Sequence, residues 1–173
     1  MARHLVYLTR RVIIKLNVII KMTPDRIYRW SKNIDHIDQL LTKLQGDTEM
    51  QVPLFLLRSQ LIEYALKSLL IHAPYKFEGF DAEVISRKPL GTIVDKLEEC
   101  NDPHLEKIIV SARAFVTFRN EVTHHLVDGT RSYKEIADDI AGHLQLAEDI
   151  ERGIVYFANY VEETLGVNFE EIS

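Results

Sequence analysis

The sequence predicts an all-α fold, an antiparallel bundle of four main helices plus a short helix. Apolar residues recur every three or four positions along most of the chain, which is the period of a helix with one buried face. Prolines and polar capping residues stand where these periodic stretches begin. No alternation typical of strands occurs after residue 22. With 173 residues, the chain is long enough for one buried core.

Residues 1–22 form a basic, apolar segment that periodicity alone does not assign. The segment holds five bases and no acid, and its apolar residues fit a strand and a helix equally well. Lys15 and Asn17 interrupt the apolar run, which argues against a signal peptide and a membrane span. We expect either an arm that guides RNA or assembly, or a non-native extension before a natural start at Met22.

The first main helix is predicted over 23–46. Thr23 can serve as its N-cap, and Pro24 suits the first helical position because its missing N–H costs nothing there. Gly46 ends the pattern. Six apolar residues repeat at spacings of three and four: Ile27, Trp30, Ile34, Ile37, Leu41 and Leu44.

The second helix is predicted from about 48–53 to Ala73, where Pro74 ends it. Its apolar residues cover more than half of the circumference, so we expect it to be the most buried helix. Residues 74–88 are predicted to be an irregular connection that three aromatic side chains attach to the bundle. These are Tyr75, Phe77 and Phe80.

The third and fourth predicted helices follow this connection. A short helix spans about 89–100, and Asp102-Pro103 then caps a long one that ends at Asp128-Gly129. The apolar face of the long helix consists of Ile108, Phe115, Phe118, Val122 and Leu126.

The last helix is predicted over 131–165, which at ~1.5 Å per residue makes it ~50 Å long. Gly142 and Gly153 lie inside it and permit bending or close packing. After Gly129 the chain holds 10 acids against 3 bases, which is typical of a solvated face.

Composition places residues 23–173 in a single domain and excludes several classes of protein. An apolar content of 46% with 7 Gly and 5 Pro excludes a disordered or collagenous chain. One cysteine, Cys100, excludes an internal disulfide framework and favours a cytoplasmic location. The formal net charge of −5 disfavours a broad basic coat for nucleic acid. Residues 23–173 alone hold 16 bases and 26 acids, a net −10.

One group of residues could carry chemistry, in the stretch FRNEVTHHLVDG near the end of the fourth helix. At ~100° per residue, Arg119, Asn120, Thr123 and His124 share one flank of that helix, whereas His125 points to the other side. We call these four residues the motif flank. Arginine can bind a phosphate with two parallel hydrogen bonds, and histidine can exchange a proton near neutral pH. Asparagine can orient either group.

The same residues also fit a purely structural role. Arg119 and Asn120 could lie on a solvated face, and adjacent histidines near a helix C-terminus can interact with its dipole. Adjacent histidines diverge by ~100° on a helix, so a shared metal ion is disfavoured. We therefore predict no metal and no cofactor.

The motif and its place in the bundle resemble the HEPN (higher eukaryotes and prokaryotes nucleotide-binding) family. Its motif is Arg followed four to six residues later by His, often with Asn directly after the Arg, which Arg119-Asn120-Glu121-Val122-Thr123-His124 matches. The stretch IEYALKSLLIHA, with Glu63 and Lys67 at i and i+4, looks like the family's second helix. The likeness covers about residues 24–165.

The resemblance implies a homodimer with two motif helices facing across a cleft, and a metal-independent endoribonuclease of a toxin–antitoxin or phage-defence system. Arg119, Asn120 and His124 would be catalytic. Thr123, His125 and Glu63 are further candidates to support this site, although Glu63 also fits a surface ion pair with Lys67. RNA would be the substrate and a protein antitoxin or regulator a partner, with no membrane involved. Some members are inactive, so the alternative is a non-catalytic bundle that binds nucleotide, RNA or protein.

The chain departs from one toxin subfamily, which carries a tyrosine two residues after its motif histidine. Leu126 stands there instead. His125 also satisfies the motif spacing, so either histidine could be the motif residue; we favour His124 because it shares the flank of Asn120.

Overall fold

The computed structural model describes residues 36, 39–40, 43–44, 47–72 and 82–165. Its helices are α1 (Thr48–His72), α2 (Ala82–Ser86), α3 (Leu90–Glu99), α4 (Glu106–Asp128) and α5 (Tyr133–Leu165). The described part of the chain contains no strand, which confirms the all-α prediction. The basic N-terminal segment, the contacts of the three aromatic residues in 74–80 and most of the helix predicted over 23–46 lie outside the described residues.

Helix α1 begins and ends close to the predicted limits. The Asp47 carboxylate accepts a hydrogen bond from the backbone N–H of Glu49 at 3.0 Å, which satisfies one donor of the first turn. Pro53 lies within the helix on an exposed side. The residues of α1 that join the core are Val52, Phe55, Ile62, Ala65, Leu66, Leu69 and Leu70. These residues occupy a broad face of the helix, as its wide apolar circumference predicts.

Two boundaries differ from the prediction. Residues 82–86 form the short helix α2, although the whole connection 74–88 was expected to be irregular. Ile85 is buried there, so contact with the core stabilises a segment too short for its periodicity to be recognised. Helix α4 begins at Glu106 and not directly after Asp102-Pro103, because Asp102 first forms a turn by accepting the N–H of His104 at 2.9 Å.

Helices α4 and α5 form an antiparallel pair. Gly129 ends α4 in the left-handed conformation, with φ +66°, as predicted for a glycine at this position. Phe118 stacks on His143 near the connection, and Ile108 meets Gly153 farther from it. An added Cβ at Gly153 would lie 2.5 Å from Ile108 Cγ1, so close packing explains this glycine. Gly142 has no such neighbour within 4 Å, so close packing does not explain it.

Helix α5 packs along both α4 and α1 and presents an apolar face to the core. Its core residues are Ile136, Ala137, Ile140, Ala147, Ile150, Ile154 and Phe157. Arg58 of α1 binds Glu151 of α5 through two hydrogen bonds of 2.9 Å. Among the described residues, no helix is long and apolar enough to cross a membrane.

Candidate functional site

The motif flank lies on the surface of the second half of α4. Asn120, Thr123 and His124 are exposed, and the Arg119 side chain retains 31% of its accessible surface. The flank borders the buried face of α4, because Phe115, Phe118 and Val122 all belong to the core. On a helical projection, Val127 falls ~80° from Arg119, between Thr123 and Asn120, and it is 84% exposed. An unburied apolar residue therefore lies among the polar residues of the flank.

Arg119 contacts α1 through Glu63. The nearest atoms, Arg119 Nη2 and Glu63 Oε2, are 3.8 Å apart, and the Glu63 side chain is 21% exposed. Glu63 also accepts a 2.7 Å hydrogen bond from Lys67, whose Nζ donates to the carbonyl of Ser86 at 3.0 Å. The structure thus brings together two residues that the sequence grouped in the site, Arg119 and Glu63. Because 3.8 Å exceeds hydrogen-bond distance, the guanidinium retains donors for an anionic ligand.

Thr123 makes a local contact within α4. Its hydroxyl donates to the backbone carbonyl of Arg119 at 2.8 Å, a bond common for threonine inside helices. The predicted supporting residue is therefore oriented towards its own helix. Its methyl and hydroxyl groups still form part of the exposed surface beside Arg119 and His124.

The two adjacent histidines have different surroundings. His124 is exposed and makes no hydrogen bond to any described residue. His125 is half-buried, and its Nδ1 lies 2.8 Å from Thr130 Oγ1. Thr130 in turn donates to Asp128 Oδ1 from its backbone N–H at 2.9 Å and from its hydroxyl at 2.7 Å. These hydrogen bonds from Thr130 hold the pKa of the Asp128 carboxyl below its usual value.

Helix α5 adds a third histidine that the sequence did not place near the site. His143 stacks on Phe118 with ring centroids 3.9 Å apart, and its Nδ1 lies 2.8 Å from the backbone carbonyl of Asp139. Arg131 binds the Asp139 side chain, and this hydrogen bond lowers the pKa of that carboxyl. His143 is 24 positions from the motif Arg, so no local spacing marks it. Asp128-Gly129-Thr130, by contrast, is a recognisable Asx-turn pattern that could have indicated the Thr130 contact.

A separate groove of about 830 Å³ lies between the first half of α4 and α5. His104, which stacks on Tyr160 at 3.7 Å between centroids, and the exposed Tyr156 line it. Arg152 also lines it, with Glu148 and Asp149 within 4 Å of its Nη2. The groove and the motif flank therefore occupy different parts of α4.

The arrangement at the motif flank suits binding of an anion and transfer of protons. It combines a permanently charged guanidinium, an exposed amide and an exposed imidazole on one helix surface. No group of three or more potential metal ligands occurs within residues 47–72 and 82–165 or the few described positions before them. Comparison with protein-family models, curated protein sequences and solved structures found no match to this chain.

Proposed function

We propose that this chain is a HEPN-like, metal-independent endoribonuclease that acts as a homodimer, in the manner of a toxin or phage-defence component. The observation that carries the proposal is the environment of the Arg119 side chain. It lies beside exposed Asn120 and His124, and its ion-pair partner Glu63 is held at 3.8 Å. A guanidinium in this setting can exchange a weak protein contact for a phosphate.

The chemistry follows from the three side chains. Arg119 binds the phosphodiester and stabilises the charge that develops on its oxygens. His124 takes the proton from the ribose 2′-hydroxyl, and the 2′-oxygen attacks the adjacent phosphorus. Asn120 orients the phosphate or the imidazole. Because the nucleophile is the 2′-hydroxyl, the reaction requires RNA and produces a 2′,3′-cyclic phosphate and a free 5′-hydroxyl.

Two features of the motif flank support assembly into a dimer. The flank lies on the convex surface of a helix, so a second copy facing it would supply the other wall of a cleft. Val127 is 84% exposed within it, and a large apolar side chain at the surface is suited to an interface. A cleft with two copies of Arg119 would concentrate positive charge on an otherwise acidic body.

The proposal is tested by incubating the purified full chain with mixed RNA in EDTA. We expect cleavage that Arg119→Ala and His124→Ala each reduce by at least about 100-fold, while both variants keep the wild-type circular dichroism. Arg113→Ala is the matched control, because Arg113 is also on α4 but pairs with Asp95 and Glu98. An inactive wild type, or equal activity in all four proteins, would refute the proposal.

The second candidate function is a non-catalytic HEPN-like bundle that binds nucleotide, RNA or a protein partner. The contact between Glu63 and Arg119 favours it, because a carboxylate beside the guanidinium reduces the charge available to a transition state. Binding of RNA without any cleavage, weakened by Arg119→Ala and unaffected by His124→Ala, would support this function over the first.

A further inference from the structure

Thr130 determines which nitrogen of His125 carries a proton. Its Oγ1 lies 2.7 Å from Asp128 Oδ1 and 2.8 Å from His125 Nδ1, yet a hydroxyl has one proton to donate. Asp128 is ionised at neutral pH because its pKa is lowered, and a carboxylate only accepts hydrogen bonds. The hydroxyl proton therefore points to Asp128, and Thr130 Oγ1 must accept the second hydrogen bond. His125 Nδ1 is consequently the donor.

We infer that Asp128 and Thr130 hold His125 in its Nδ1–H tautomer, so that Nε2 is the nitrogen that exchanges a proton with bound RNA. The second half of this inference rests on the proposed function. Asp128 and Thr130 act as positioning residues, while His125 would touch the substrate. An aspartate that fixes a histidine tautomer through hydrogen bonding is an established way to prepare an imidazole for proton transfer.

The charged groups around His125 come from both helices and their connection. Asp128 Oδ1 is 4.0 Å from Nδ1 on the same helix, and His124 is the preceding residue. Asp139 of α5 is close enough to His125 for the charge of the imidazole to contribute to the lowered pKa of the Asp139 carboxyl. Arg131, in the connection, binds Asp139. His143 lies beside Asp139, with its Nδ1 near the Asp139 carbonyl oxygen.

His125 would act as the general acid of the cleavage reaction. While His124 takes the 2′-hydroxyl proton and the 2′-oxygen bonds to phosphorus, the bond from phosphorus to the 5′-oxygen breaks. Protonated His125 gives the proton on Nε2 to that leaving oxygen and keeps the proton on Nδ1, which Thr130 holds. His125 ends neutral and His124 ends protonated, and exchange with water restores both.

The adjacent positions of the two histidines agree with this division of roles. In-line displacement places the attacking and leaving oxygens on opposite sides of phosphorus. Side chains at consecutive helix positions diverge by ~100°, so His124 and His125 are suited to two separate oxygens and poorly suited to one. The divergence that disfavoured a shared metal ion thus fits a separate acid and base.

The tautomer is tested first, by NMR of the full chain labelled with ¹⁵N at its histidines. We expect His125 to show a protonated Nδ1 and an unprotonated Nε2 above the pH at which the imidazole becomes neutral. Thr130→Val removes the acceptor and should shift His125 towards the Nε2–H form, which free histidine prefers, while Thr130→Ser should restore the wild-type spectrum. His143 is an internal reference, since its Nδ1 donates to a backbone carbonyl that these changes leave in place. An Nε2–H tautomer of His125 in the wild type would overturn the inference.

The catalytic role is tested with the RNA cleavage assay. We expect His125→Gln to lower kcat by at least about 100-fold and Thr130→Val to lower it by about tenfold, with activity restored by Thr130→Ser. If the wild type cleaves RNA and His125→Gln and Thr130→Val leave kcat unchanged, the inference fails while the proposed function stands. If the wild type cleaves no RNA, the proposed function fails and the role of His125 in cleavage fails with it.

Discussion

Arg58 and Arg119 each face a glutamate on another helix, and these two pairs differ in geometry and burial. Arg58 and Glu151 form two 2.9 Å hydrogen bonds between side chains that are only 13% and 12% exposed. Arg119 and Glu63 approach to 3.8 Å and are 31% and 21% exposed. The first pair joins α1 to α5 through its hydrogen bonds. The second leaves its guanidinium able to bind another anion, so similar residue pairs indicate different roles.

The largest effect is expected from removing Arg58, the less exposed of the two arginines. Arg58→Ala leaves the Glu151 carboxylate without the partner that binds both of its oxygens, so we expect a loss of about 3 kcal/mol in the free energy of unfolding. Arg119→Ala, the matched change in the exposed pair, should cost less than about 1 kcal/mol. Urea denaturation of both variants measures the difference. Equal losses would show that the two pairs do not differ as described.

Two glycines of α5 also differ in their surroundings: Gly153 packs closely against another helix, whereas Gly142 does not. Gly153→Ala places a Cβ against Ile108, and we expect a loss of about 1–2 kcal/mol because the Ile108 side chain must leave its rotamer or α4 must shift away from α5. Gly142→Ala meets no atom within 4 Å and should stabilise the helix by about 0.5–1 kcal/mol. Thermal unfolding of the two variants should therefore shift in opposite directions. A stabilising Gly153→Ala would contradict the close packing of α4 and α5.

The smallest effect concerns the availability of Arg119. Glu63→Gln removes the negative charge beside the guanidinium, so we expect RNA to bind up to about fivefold more tightly, the equivalent of about 1 kcal/mol. The measurement uses a 2′-O-methyl RNA, which binds but cannot be cleaved through its 2′-oxygen. Glu148→Gln, which makes the same charge change beside Arg152, is the control and should have a smaller effect. Equal effects would mean that only the overall charge matters.

Periodicity predicted the helices well because their stability depends on burying one face. The predicted apolar positions Phe115, Phe118 and Val122 are all in the core, and Gly129 ends α4 as expected. The short helix α2 was not predicted, because its five residues are too few to show a helical period and its burial depends on the rest of the fold. Residue spacing also placed the motif flank on one surface of α4.

Spacing along one helix could not identify the partners of those residues on other helices. Glu63 was a candidate supporting residue on the second helix, and its contact with Arg119 depends on how α1 and α4 pack. His143 reaches Phe118 only because α5 folds back along α4. The different surroundings of His124 and His125 depend on a threonine in the connection, which a helical projection of α4 does not include.

The short connection between α4 and α5 has a consequence for the order of folding. Residues 129–132 join the two helices, whereas the Arg58–Glu151 contact links residues 93 positions apart. Each doubling of the length of the loop that a contact closes costs about 0.6 kcal/mol of chain entropy. Contacts within the α4–α5 pair therefore lose less chain entropy when they form. We expect this pair to associate early and α1 to join later. Arg119 and the three histidines near it would then be assembled before Glu63 arrives.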